Sequence, residues 1–142
     1  MFLLLSGCFP MAVVNAAEGN SDSGVLVVAQ GSPVQKISVL EIRRIYLGLE
    51  PLAESHINRP VINLSARVLY KAFLENVMHM TERGYRRKTV KRIFRQGGEK
   101  VKQIKSHSEL IEHLKNNKND VTFMDLKTAQ QSKEVRVVQV LW

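Results

Sequence analysis

The chain has 142 residues, with 21 Lys and Arg against 13 Asp and Glu, a net charge of +8 and a pI of about 9.9. One domain with one core fits this length, whereas two independent cores do not. The single cysteine, Cys8, excludes a disulfide framework and a Cys-ligated metal site, and the basic balance favours anionic partners.

From Phe2 to Ala17 there is no charge, and an apolar core runs into Val14-Asn15-Ala16. Small residues at the last and third-last positions are what signal peptidase accepts, so residues 1–16 read as a signal peptide cleaved after Ala16, with Ala17 as second choice. Ser6, Gly7 and Pro10 interrupt the stretch, which falls short of the roughly 20 apolar residues of a membrane span. The positive segment that opens such leaders is missing, which points to a start upstream. The expected localisation is periplasmic. Leu5-Ser6-Gly7-Cys8 keeps open the alternative of a lipoprotein anchored through Cys8. Residues 17–24, rich in Gly, Ser and Asn, are a linker by composition, and 25–142 form the domain.

Val25 to Ala29 is a continuous apolar run, as expected for a strand buried on both faces. Gly31, Ser32 and Pro33 end it. Ser38 caps a predicted helix with Val39, Ile42, Ile45, Tyr46 and Leu49 at helical spacing, and Glu41 completes a capping box. Pro60 to Leu64 reads as the second strand. Ser65 then opens a helix that places Leu69, Ala72, Phe73, Val77 and Met80 on one face.

A third helix, from Glu82 to about Phe94, is predicted to bury Tyr85, Val90, Ile93 and Phe94 and to end at Gly97-Gly98. Lys100 to Ile104 alternates like a strand. Ser106 caps a helix carrying Leu110, Ile111 and Leu114, and Val121 to Met124 and Val135 to Leu141 close the chain as strands. Strands alternating with helices predict a largely parallel sheet covered by helices.

Against the single acid Glu82, Arg83, Arg86, Arg87, Lys88, Lys91, Arg92 and Arg95 crowd one helix. A face of nearly one sign repels itself and calls for an anionic partner. Nucleic acid is the first guess for a cytoplasmic protein, and export argues against it. Phospholipid headgroups, an anionic glycolipid or an acidic periplasmic protein remain, met through Arg83, Arg86, Arg87, Lys91 and Arg92. A solvated helix face is the plain alternative.

His56, His79, His107 and His113 fall in no metal-binding pair, and no nucleophile elbow, phosphate loop or dinucleotide fingerprint occurs. A binding protein without cofactor or metal is expected rather than an enzyme. Backbone amides at helix starts bind anions, because unsatisfied donors and the helix dipole converge there. Gly31 and Ser32 after the first strand, Ser65 with Arg67, and the Gly97-Gly98 loop are the candidates. Read plainly, the serines are turn and cap residues and the glycines a helix stop.

The order Gly31-Ser32-Pro33-Val34, Ser38-Val39-Leu40-Glu41-Ile42 and Ile45-Tyr46-Leu47-Gly48 resembles the opening of the small periplasmic phosphate-type substrate-binding proteins of ABC transporters. Leu69 to Phe73, Phe94 to Gly97 and Val121 to Met124 fall where that family has further segments. The resemblance implies an α/β fold of the periplasmic-binding-protein-like (type II) kind, one lobe with a mostly parallel sheet flanked by helices and the second lobe reduced. It also implies capture of phosphate or a similar small oxyanion, and it favours Ser32 and Ser65 among the candidates Gly31, Ser32, Ser65, Arg67 and Gly97. The glycines of the family's return strand are absent at Asp120 to Met124. This keeps open a degenerate accessory or sensory protein that acts through its basic helix.

Overall fold

The computed structural model describes residues 23–142, so the leader, its cleavage site and Cys8 lie outside the described residues. Strand β1 (Gly24–Ala29) is buried along its whole length, as its apolar run predicts. It pairs antiparallel with β4 (Thr122–Asp125) on one side and β5 (Val135–Val140) on the other. Strands β2 (Val61–Asn63) and β3 (Lys102–Ile104) pair in parallel. A parallel bridge between Pro60 and Val121 links the two groups, reinforced by Val61 N–H donating to the Val121 carbonyl at 2.8 Å. The spatial order is therefore β3-β2-β4-β1-β5.

Strands β2, β3, β4 and β5 run one way, and β1 alone runs against them. The mostly parallel sheet expected from the alternation of elements is present in strand direction. The first strand is the correction. A continuous apolar run reports burial on two faces and carries no signal of direction, so β1 reads the same as its neighbours in sequence.

The two faces of β1 divide the core, because successive side chains point to opposite sides. Leu26 and Val28 pack on one face with Ile42, Ile45, Tyr46, Phe73 and Phe123. Val25 and Val27 pack on the other with Leu110, Leu114, Met124 and Ala129. Helices α1 (Val39–Tyr46) and α2 (Arg67–Phe73) cover the first face, while α4 (His107–Asn116) and α5 (Leu126–Gln131) cover the second. Phe73 stacks on Phe123 with ring centres 4.0 Å apart, and Tyr46 meets Phe73 edge-on at 4.8 Å.

Ser38 caps α1 as expected, its hydroxyl accepting from Glu41 N–H at 3.1 Å. Glu41 does not close a capping box. Its carboxylate accepts from Leu52 N–H at 3.0 Å and pairs with Arg44 at 3.1 Å, which fastens the loop leaving the helix. Helix α2 is capped by Ala66 rather than Ser65, without a side-chain bond.

Helix α3 (Glu82–Gln96) forms as predicted, yet buries only Tyr85 and Thr89. Val90 is 60% exposed and Phe94 is 90% exposed, against the expected burial of both. Seven basic residues on one helix hold most of its circumference in water, so the buried contact narrows to Tyr85, Thr89 and the half-buried Ile93.

Candidate functional site

In open α/β sheets ligands settle outside the carboxyl ends of parallel strands, where the chain switches from one side of a strand to the other. Here the chain leaves β2 for β3 on one side and then crosses to β4 on the other. Asn63, Ser65, Lys105 and Asp125 stand at that edge. Asn63 is almost wholly buried, and its amide donates to the Phe123 carbonyl at 2.9 Å, tying β2 to β4. Its side-chain oxygen accepts from both the N–H and the hydroxyl of Ser65, at 3.0 and 2.6 Å. Ser65 is exposed, and its hydroxyl is committed to Asn63.

Beside this edge a cleft of about 460 Å³ opens between the β2–β3 ribbon and the start of α2 and α3. Arg67, Arg86, Lys100 and Lys105 bring four cations to it, and Glu82 is its one acid. Val101, Gln103 and Lys105 line it from alternate positions of the β3 segment, while Ile104 turns into the core. Glu82 holds Arg67 at 3.0 Å and lies 3.8 Å from Arg86. Lys100 and Lys105 take part in no ion pair among the described residues. Tyr70 lines the cleft with its hydroxyl neutral, since burial pushes its pKa up and the charge of Glu82 adds to the shift. Burial raises the pKa of Tyr85 further, and its hydroxyl donates to the Tyr46 carbonyl, so that ring serves the fold.

The structure separates the expected anion-binding residues. Arg67 lies in the cleft and Ser65 at the same edge, but Gly31 and Ser32 sit at the opposite end of the sheet. Because β1 runs against β2, its last residues stand beside the beginning of β4, with Val27 opposite Thr122. Ser32 packs there against Asn119 at 3.4 Å, whose carbonyl accepts from the N–H of Asn58, a residue that precedes β2. The carbonyl of Ser32 accepts from Arg136 at 2.8 Å, and its hydroxyl accepts from Val34 N–H at 3.3 Å. Ser32 is therefore a turn residue clamped by Arg136, and Gly31 supplies the turn's positive φ of 82°. Gly97 ends α3, its N–H donating to the Ile93 carbonyl at 2.8 Å, and does not line the cleft.

The basic helix divides in the same way. Arg86 joins the cleft, whereas Arg83, Arg87 and Lys91 face outward along a shallow groove with Val90 and Phe94. Arg92 is withdrawn from that face. Its guanidinium lies over Gly48, where a Cβ would clash with it, and donates to the Glu99 carbonyl at 3.4 Å. Among the described residues no cluster of three or more His, Cys, Asp or Glu is placed to hold a metal, and no helix is long and apolar enough to cross a membrane.

No protein-family model matches the sequence, and neither does any curated protein. Solved structures do. The chain is similar to an ABC-type phosphate transport receptor from Vibrio cholerae, with 19% identity and a TM-score of 0.57, over 82% of this chain and 45% of the receptor. The AvGluR1 ligand-binding domain in complex with methionine gives 17% identity and a TM-score of 0.46 over 82% of this chain and 39% of that one. The chain thus spans less than half the length of the structures it matches. With the sheet order and helix layers above, the likeness to the receptor establishes a mixed α/β, periplasmic-binding-protein-like fold of about one lobe.

Proposed function

We propose that this chain is a binding domain, not an enzyme, that captures phosphate or an oxyanion of similar size in the cleft beside β2 and β3. The observation that carries this reading is the convergence of Arg67, Arg86, Lys100 and Lys105 on one concavity with Glu82 as the only acid. The four cations are exposed, so each attracts an anion only modestly and the grip comes from their convergence, to which the guanidinium of Arg67 adds a planar fork suited to phosphate. Lys105 follows β3 at the carboxyl edge where α/β sheets bind ligands. The likeness to a phosphate transport receptor supports the same ligand class. Export to the periplasm, followed by service to a transporter, completes the proposal, and the leader-like residues 1–16 motivate it. Calorimetric titration against phosphate, sulfate and carboxylates tests the ligand class. Mass spectrometry of the protein from its native envelope tests export: an unmodified N-terminus at Ala17 or Glu18 supports it, and an intact cytoplasmic form overturns it.

A second reading is a non-transporting accessory or sensory protein that works through its basic helix. Its support is that Arg83, Arg87 and Lys91 stand outward without an acidic partner among the described residues. Loss of partner association on charge reversal at Arg87 and Lys91, with no oxyanion bound by the wild type, favours this reading.

A further inference from the structure

The outward stripe of α3 carries two kinds of side chain that water alone does not suit together. Arg83, Arg87 and Lys91 follow one another at helical spacing, and Val90 and Phe94 lie one turn apart among them. Phe94 is 90% exposed and Val90 60%, on a helix whose only acid, Glu82, is engaged with Arg67 and Arg86. The cations call for a dense negative surface, and the exposed Phe and Val call for a medium other than water.

Few partners meet both demands. A dissolved oxyanion answers only the charge, and a polynucleotide backbone offers phosphates without hydrocarbon beneath them. A second copy pairing through the same face about a two-fold axis would set these cations against their own kind. An anionic bilayer meets both demands, since headgroup phosphates lie above and acyl chains lie immediately below. We propose that the outer face of α3 docks on an anionic phospholipid surface, with Arg83, Arg87 and Lys91 on headgroup phosphates and Phe94 and Val90 seated at the headgroup–acyl boundary. The stripe and the oxyanion cleft lie on different faces and meet only at Arg86, which Glu82 accompanies. The docking therefore stands whether or not the cleft binds phosphate.

The test is co-sedimentation of the full chain with vesicles of phosphatidylglycerol and phosphatidylcholine, compared with phosphatidylcholine alone. Residues 1–16 are themselves apolar, so the readout is the difference between variants that share them. The wild type should bind the anionic vesicles and be released by salt. Phe94→Ala should weaken binding about tenfold at unchanged charge. Arg87→Glu with Lys91→Glu should weaken it by about a hundredfold or more. Both changes lie on the surface, and unshifted melting curves confirm that the fold is kept. A Phe94→Trp chain should gain quenching by brominated acyl chains beyond that of wild-type Trp142. Equal binding to both vesicle types, indifference to the α3 variants, an indole of the Phe94→Trp chain that stays in water, or preference for duplex DNA over anionic vesicles each overturns the proposal.

Discussion

Arg67 at the start of α2 donates to Glu82 in the first turn of α3 at 3.0 Å, so the cation best placed to grip an anion is already held by the one acid of the cleft. An incoming oxyanion must compete with that carboxylate. Glu82→Gln should therefore strengthen phosphate binding by about threefold to tenfold, the modest range reflecting how exposed Arg67 is. Calorimetric affinities of the two chains at one ionic strength check this, and weaker binding in Glu82→Gln would place the ligand elsewhere.

Asn63 and Ser65 differ in consequence although they share a hydrogen bond. Asn63→Ala leaves the buried Phe123 carbonyl and the part-buried Ser65 amide without their side-chain partner, and should cost about 1 to 3 kcal/mol. Ser65→Ala removes one exposed hydroxyl and no helix cap, since Ala66 occupies the cap position, and should cost about 0.5 to 1.5 kcal/mol. Denaturant midpoints of the two variants should fall in that order.

Phe73 is wholly buried between Tyr46 and Phe123. Phe73→Ala should lower stability by about 3 to 5 kcal/mol, much of what a domain of this size has. Thermal melting checks it, and a shift of only a few degrees would mean that the site collapses around the missing ring.

Stability should fall in alkali. Burial holds the pKa of Tyr85 above its ordinary value of 10.0, and that of Tyr46 well above it. A raised folded-state pKa gives stability that is complete below about pH 10 and is lost as pH rises toward the folded value. Unfolding free energy measured from pH 8 upward should be flat and then decline above about pH 10. Tyr85→Phe should be less stable at neutral pH, because the Tyr46 carbonyl loses its donor, and should decline less steeply above pH 10.

Much of the fold was legible because its signals are local. Ser38 and Ser106 cap the helices they were expected to cap, and Leu110, Ile111 and Leu114 are buried at the spacing that announced them. The reversal of β1 was not legible, since it rests on pairings between residues about a hundred positions apart, such as Val27 with Thr122. Helix α5 carries little sequence signal because its six residues span less than two turns, although Asp125 caps it by accepting from Thr128 N–H at 2.9 Å. Phe94 was misplaced because apolar residues at helical spacing imply a buried face only when the rest of the helix permits one. Of the cleft, Arg67 could be named from its place in the first turn of a predicted helix and Arg86 from the basic run. Tyr70, Lys100 and Lys105 could not, because nothing in their local pattern tells them from other surface and core residues, and only the β2–β3 pairing brings them together.

The most direct measurement of the central claim is equilibrium dialysis of labelled phosphate against the wild type and an Arg67→Ala/Lys105→Ala chain. Each cation should contribute a charge-assisted bond, so the double change should weaken binding on the order of a hundredfold while the melting temperature barely moves. Saturable uptake by the wild type and its loss in the double variant is the predicted result. No uptake by the wild type at millimolar phosphate, or equal uptake by both chains, would contradict the account.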